Sequence, residues 1–166
     1  MANPPKALAF LWTQLWLAAC AVAKQTDLPV VGLILQPSTD RFKNQMPLAS
    51  KLVNYVPESY VQQITNAGGQ VAFIPWDLEI GDLEALMDQT DMLLIPGGPT
   101  DLISWNGQPT VYQDRVDWLI RYAKARHSRQ TAKNSKDIYP VFATCLGFEN
   151  IIISEADQNT SVLQSG

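Results

Sequence analysis

Short apolar runs alternate with segments of helical periodicity along most of the chain. Four runs have the composition of strands buried on both faces, namely Val30–Leu35, Val71–Pro75, Met92–Ile95 and Ile138–Thr144. Helices are expected over Glu58–Asn66, Asp82–Gln89 and Thr110–Ala125, and polar surface loops over Pro37–Asn54 and Arg126–Asp137. When strands and helices alternate in this order, the strands pair in parallel and the helices form right-handed crossovers between them. The pattern predicts an α/β fold, a three-layer sandwich around a mostly parallel sheet.

Composition narrows the class of function. Apolar residues make up 46% of the 166 residues, which excludes a disordered chain, and the formal net charge of −4 without a basic stripe argues against nucleic-acid binding. The chain has two cysteines, Cys20 and Cys145, and one histidine, His127. This set excludes a disulfide framework, a four-thiolate zinc site and a zinc site built from several histidines.

The first 23 residues have the pattern of a secretory signal peptide. Lys6 precedes the apolar run Ala7–Ala23, which ends in the small residues Ala21-Val22-Ala23. Cleavage there leaves residues 24–166 as one domain without a membrane span. An uncleaved anchor is the first alternative, and a bacterial lipoprotein signal ending at Cys20 is the second.

A secretory route gives two further residues significance. Asn159-Thr160-Ser161 fits the acceptor pattern for N-glycosylation. Loss of the leader also leaves Cys145 as a lone thiol, which in a secreted protein calls for a reason. Catalysis is one such reason.

The segment Ala143-Thr144-Cys145-Leu146-Gly147 has the pattern of a nucleophile elbow. A strand is expected to end at Thr144 and a helix to start at Gly147, with small residues two before and two after the cysteine. The positive end of the helix dipole favours a thiolate, and the Leu146 N–H is a candidate donor to an oxyanion. The alternative is a small buried core cysteine.

Gly97-Gly98 follows a different strand and is expected at the same carboxyl edge of the sheet. Glycines there allow close approach of a substrate and offer a second oxyanion N–H, although an ordinary turn explains them equally. His127 follows a helix and is expected at the opposite edge, far from Cys145.

Several motifs together resemble the gamma-glutamyl hydrolase family, within the class I glutamine amidotransferase-like (flavodoxin-like) fold. They are Pro29–Pro37, Glu58–Val61, Asn66–Gly69, Ile95–Gly98 and Thr144–Glu149, and they occur in family order. The resemblance covers about residues 29 to 155. Ser59 and Tyr60 lie in one of these motifs and receive no role beyond their position. Ala143 stands where the family usually has glycine.

The resemblance implies a reaction and its residues. Cys145 matches the nucleophile, Leu146 and Gly98 match the backbone donors to the oxyanion, and Gly97 is the neighbouring turn residue beside the substrate. The substrate implied is a small molecule, a polyglutamylated folate whose γ-linked amide is attacked. No metal or organic cofactor is implied. A homodimer and a secreted, lysosomal or vacuolar location are typical of the family.

One departure from the family limits the expected activity. The family's catalytic histidine and its acidic partner lie downstream of the segment that this chain matches. We therefore expect a chain truncated at its C-terminus and inactive, or nearly so, as 166 residues. Two alternatives stay open: a glutamine amidotransferase-type hydrolase, and a non-catalytic fold that serves as a structural or interaction module.

Overall fold

The computed structural model describes residues 28–45, 53–132 and 138–163. The strands are β1 (Val30–Ile34), β2 (Gln36–Pro37), β3 (Asn54–Tyr55), β4 (Gln70–Ile74), β5 (Met92–Ile95) and β6 (Val141–Ala143). The helices are α1 (Asp40–Gln45), α2 (Glu58–Asn66), α3 (Ile80–Asp88), α4 (Val111–Ala132) and α5 (Leu146–Glu155). A 3-10 turn follows at Thr160–Leu163.

Four of the strands form a parallel sheet in the order β4-β1-β5-β6. In the register of this sheet, Leu33 pairs with Phe73 and with Leu94, and Leu94 pairs with Phe142. Neighbours in register share a face, so each strand contributes alternate residues to two cores. The predicted fold class, an α/β sandwich around a mostly parallel sheet, is confirmed.

Helices cover both faces of the sheet. One face packs against α3, α4 and α5, where Leu93, Ile95, Leu83, Leu119 and Ile153 belong to one buried cluster. The other face packs against α2 through a smaller cluster of Val31, Leu33, Ile64 and Leu94. The three layers leave the carboxyl ends of β1, β5 and β6 together at one edge of the sheet.

Helix α2 ends at Asn66, as predicted from the glycines Gly68 and Gly69 that follow it. Gly68 adopts a φ of 84°, the left-handed conformation that glycine reaches without a side-chain clash. The Gly69 N–H then turns back to the carbonyl of Ile64 at 3.0 Å and closes the last turn.

Several predicted boundaries are wrong, and two of them differ from the structure by several residues. The segment from Arg126 was predicted as a loop, but α4 continues to Ala132. Tertiary contacts explain the extension, because the Arg126 guanidinium lies 4.5 Å from the centre of the Tyr139 ring and donates to the Met87 carbonyl. Strand β6 is also shorter than expected and begins directly after Pro140, which has no N–H to donate to a ladder.

The predicted polar loop from Pro37 to Asn54 contains regular structure as well. Strands β2 and β3 pair antiparallel and α1 lies between them in sequence. The proposed signal peptide, residues 1–23, lies outside the described residues. Within the described ranges, no helix combines the length and apolar character needed to cross a membrane.

Candidate active site

Cys145 lies on a tight turn between β6 and α5, with its side chain exposed. Its backbone has φ 50° and ψ −119°, a conformation that non-glycine residues rarely adopt. Outliers of this kind persist only where the surrounding structure enforces them, and they cluster at functional sites. The cysteine is therefore presented at the carboxyl edge of the sheet, not sealed in the core.

Backbone packing behind the cysteine enforces this turn. The Thr144 N–H donates to the carbonyl of Ile95 at 3.2 Å, which ties the end of β6 to β5. Gly147 is buried, and a Cβ there would overlap the same Ile95 carbonyl. The absence of a side chain at Gly147 lets α5 start directly against the strand. Helix α5 begins at Leu146, one residue earlier than predicted.

The first turn of α5 leaves a backbone donor, the Leu146 N–H, free beside the thiol. The Gly147 and Phe148 N–H groups bond to the carbonyls of Thr144 and Cys145 at 2.8 and 2.9 Å. In contrast, the Leu146 N–H has no hydrogen-bond partner among the described residues. This free N–H and the helix dipole create a positive potential at this end of α5.

The Pro96-Gly97-Gly98 loop lies directly against this turn, because β5 and β6 are neighbours in the sheet. A Cβ at Gly97 would lie 2.8 Å from Cβ of Cys145. The Gly97 N–H donates to the Tyr60 hydroxyl, whereas the Gly98 N–H has no partner in the part of the chain that the structure describes. The structure thus brings together all four predicted site residues: Gly97, Gly98, Cys145 and Leu146.

The buried side chain of Gln36 supports the Pro96-Gly97-Gly98 loop through a hydrogen bond and close packing. Gln36 is inaccessible to solvent, and its Nε2 donates to the carbonyl of Pro96 at 3.1 Å. Its Oε1 accepts from the Tyr55 hydroxyl at 2.8 Å, and burial raises the pKa of Tyr55, so this phenol stays a donor. A Cβ at Gly98 would overlap the Gln36 carboxamide. A larger residue at position 98 would therefore have to displace the buried, hydrogen-bonded Gln36 side chain.

Sequence reasoning missed Gln36 and gave Tyr60 no role. The one local signal for Gln36 is a polar residue that directly follows an apolar strand. Tyr60 gives no such signal, since its partners Gly97 and Thr144 are distant in sequence.

The single histidine of the sequence lies away from the thiol. His127 is exposed on the last turns of α4, next to Arg126, which contacts the ends of α3 and of the segment before β6. Those contacts place His127 at the amino edge of the sheet, opposite Cys145, as expected. Glu149 is exposed in the first turn of α5. Within the described ranges, no three His, Cys, Asp or Glu side chains group as metal ligands.

A parallel sheet with a cysteine on a strand–helix turn at its carboxyl edge is consistent with a glutamine amidotransferase-like α/β fold. The model of the Peptidase C26 family matches residues 29–156. The chain therefore belongs to the Peptidase C26 family of hydrolases.

Curated relatives agree with this assignment. The chain is 30% identical to mouse gamma-glutamyl hydrolase over 135 residues, which are 81% of this chain and 37% of the mouse protein. It is 27% identical to the human gamma-glutamyl hydrolase over 74% of this chain and 34% of that protein. Gamma-glutamyl hydrolase B of Dictyostelium discoideum is 24% identical over 78% of this chain and 33% of that protein. The matched segment spans about a third of the length of these relatives.

Proposed function

We propose that this chain carries the nucleophile of a cysteine-type γ-glutamyl hydrolase that cleaves the γ-linked amides of polyglutamylated folates. The observation that carries the proposal is the exposed Cys145 at positive φ, in contact with the Gly97-Gly98 loop. Similarity to gamma-glutamyl hydrolases supports the substrate class.

The proposed reaction begins with attack of the Cys145 thiolate on the carbonyl carbon of the γ-amide. The carbonyl oxygen becomes an oxyanion, and the free N–H groups of Leu146 and Gly98 donate hydrogen bonds to it. Collapse of the tetrahedral intermediate breaks the C–N bond and leaves a thioester on Cys145. The departing glutamate amine takes up a proton, and water then hydrolyses the thioester.

The departing amine needs a general acid, and attack of water needs a general base. His127 is the single histidine of the sequence and lies at the wrong edge for both roles. We therefore propose that the histidine comes from sequence other than residues 28–163. On this proposal the 166-residue chain alone hydrolyses γ-glutamyl amides several orders of magnitude more slowly than the full enzyme.

Three further features belong to the same proposal. The apolar segment before residue 24 supports entry into the secretory pathway, with a secreted, lysosomal or vacuolar destination. Asn159, the first residue of the N-glycosylation acceptor pattern, is exposed. Its Oδ1 accepts hydrogen bonds from the N–H and hydroxyl of Ser161, as in a local turn. A homodimer is proposed from the family resemblance alone, and sedimentation of the purified protein tests it.

Thiol reactivity tests the nucleophile without requiring turnover. We expect iodoacetamide to alkylate Cys145 faster in the folded 166-residue chain than in the same chain unfolded in urea, with labelling read by peptide mass spectrometry. Cys145→Ala is the matched control for the labelled peptide. Equal or slower labelling of the folded chain would contradict an activated thiol.

Turnover tests the substrate. The protein is purified from its natural source, its intact mass is measured, and release of glutamate from a pteroyl-γ-polyglutamate is compared with release of ammonia from glutamine. We expect glutamate release that iodoacetamide abolishes. Hydrolysis of glutamine alone would support an amidotransferase-type enzyme instead. A species near 18.4 kDa that hydrolyses neither would support a non-catalytic module.

A further inference from the structure

The hydroxyl of Tyr60 joins the two backbone segments of the site. The Gly97 N–H donates to the Tyr60 oxygen at 2.8 Å. The same oxygen lies 2.7 Å from Oγ1 of Thr144, and these two hydroxyls share a hydrogen bond. Thr144 directly precedes Cys145, and Gly97 directly precedes Gly98. One side chain from α2 thus contacts both loops at the carboxyl edge.

We infer that Tyr60 is a positioning residue, whose hydroxyl holds the Pro96–Gly98 loop against the cysteine turn and orients the Gly98 N–H. The inference rests on the proposed function of Cys145 and Gly98. Tyr60 acts through Gly97 and Thr144, and no contact between Tyr60 and substrate is part of the inference.

The strongest support is that one peptide group is held at both ends. The carbonyl of Pro96 accepts from Nε2 of Gln36 at 3.1 Å, and the N–H of the same peptide, on Gly97, donates to Tyr60 at 2.8 Å. A peptide group is planar, so rotation of this one would break both hydrogen bonds together. The next peptide along the chain carries the Gly98 N–H. Fixing the first peptide therefore restricts the direction of the second.

The packing leaves little room for the loop to move. A Cβ at Gly97 would lie 2.8 Å from Cβ of Cys145 and 3.0 Å from the Tyr60 hydroxyl, closer than such contacts normally occur. The phenol, the loop and the cysteine turn are therefore in mutual contact. On the other side, the Gln36 carboxamide packs directly against Gly98.

Loss of the phenol oxygen has a predictable local effect. Without it, the Gly97 N–H and the Thr144 hydroxyl lose their shared partner in a partly buried place, and Gln36 alone holds the peptide. The ring of Tyr60 stays, so its packing against the smaller core cluster of Val31, Leu33, Ile64 and Leu94 is retained. A looser loop weakens a hydrogen bond that forms only to the oxyanion, which lowers kcat more than it raises KM.

The first experiment uses Tyr60→Phe in the 166-residue chain. Tyr122→Phe is the matched control, because its hydroxyl donates to Asp88 at 2.6 Å, away from the site. We expect exchange of the Gly97 amide proton, followed by NMR, to be about tenfold faster in Tyr60→Phe and unchanged in Tyr122→Phe. We also expect the rate of Cys145 alkylation to change several-fold in Tyr60→Phe alone. If the Tyr60 hydroxyl served only the stability of the fold, both variants would change the melting temperature. The Gly97 exchange rate and the Cys145 alkylation rate would then be the same in Tyr60→Phe and Tyr122→Phe.

The partner of Tyr60 gives a second test. Thr144→Ser keeps the hydroxyl and is expected to preserve the Gly97 exchange rate, whereas Thr144→Val removes it and is expected to raise that rate. In the enzyme from its natural gene, we expect Tyr60→Phe to lower kcat about tenfold with KM changed less than about twofold.

The outcomes separate this inference from the proposed function. Unchanged Gly97 exchange and unchanged alkylation in Tyr60→Phe would overturn the positioning role, whatever the enzyme hydrolyses. Changed rates in a protein that cleaves no γ-glutamyl amide would reject the proposed function and still support Tyr60 as the residue that holds the cysteine site.

Discussion

The two faces of the central sheet are covered to very different extents. On the face of α3, α4 and α5, side chains from all four parallel strands pack into one large cluster, including Leu93 and Ile95 of β5. On the face of α2, the neighbouring Leu94 packs with three other buried side chains among the described residues. Phe73 and Phe142 on that face stay 47% exposed, and a cavity of about 290 Å³ lies between α2 and Phe142.

This difference separates stability from positioning. Most of the buried apolar side chains of the described residues lie on the α3–α5 face, so that face contributes most of the hydrophobic stabilisation. Tyr60 lies on the less covered face, that of α2, and its hydroxyl forms hydrogen bonds with Gly97 and Thr144 at the site. Substitutions on the first face should therefore change the free energy of unfolding, and substitutions near Tyr60 should change the site with less effect on the whole fold.

Adjacent leucines of β5 offer the most direct comparison. Leu93 is fully buried in the larger cluster, and Leu94 is 4% exposed in the smaller one. We expect Leu93→Ala to lower the free energy of unfolding by about 3–5 kcal/mol and Leu94→Ala by about 2–3 kcal/mol. Leu94 already borders the cavity, so truncation there removes fewer contacts. Urea denaturation measures both, and equal losses would contradict the difference between the faces.

The second largest effect is expected at the start of α5. A Cβ at Gly147 would overlap the Ile95 carbonyl, so Gly147→Ala must displace the helix from the strand. We expect a loss of about 1–3 kcal/mol, together with altered alkylation of Cys145. Gly81→Ala is the control, because a Cβ there meets nothing within 4 Å and alanine favours a helix. A Gly147→Ala variant as stable as Gly81→Ala would contradict the close packing.

Alkaline pH tests a buried tyrosine of the larger core. Tyr112 is 2% exposed, and burial raises its pKa far above the ordinary value of 10. Below pH 10 both folded and unfolded states keep this proton. Above pH 10 the unfolded state loses it first, so stability falls with rising pH, by up to about 1.4 kcal/mol per pH unit for one such group. We expect Tyr112→Phe to have a shallower decline of unfolding free energy between pH 10 and 11. An unchanged slope would show that other groups control alkaline unfolding.

The smallest effect is expected on the open part of the α2 face. Phe142 is half exposed, and Phe142→Thr keeps a residue that suits a strand. We expect a change of less than about 1 kcal/mol in the free energy of unfolding. A loss above about 2 kcal/mol would show that Phe142 is packed in solution and that the two faces are more alike than their side-chain exposure indicates.

Local patterns in the sequence were sufficient to locate the four parallel strands and the cysteine turn, but not the short strands β2 and β3 or the start of β6. Val30–Ile34 and Met92–Ile95 are apolar runs of strand length, and Ala143 and Gly147 mark the turn by their small size. The order of the elements then predicts that Gly97 and Cys145 meet at one edge. These inferences need only the local sequence and the rule that parallel strands end together.

Contacts between distant segments account for what was missed. The last turns of α4 depend on Arg126 and Tyr139, which are brought together by the fold. The hydrogen bonds of Gln36 and Tyr60 reach across 60 and 37 positions to the Pro96–Gly97 peptide. No spacing within a helix or strand encodes such a contact. The roles of Gln36 and Tyr60 can therefore be recognised only from the three-dimensional structure.

The backbone at Cys145 carries a final consequence. At φ 50° the fold itself favours glycine, which adopts that region without steric conflict. Replacing the cysteine by glycine would then relieve the turn and raise the melting temperature while removing the sulfur. A chain selected only for thermal resistance would drift away from cysteine at this position, whereas one selected for thiol chemistry must tolerate a slightly weaker fold.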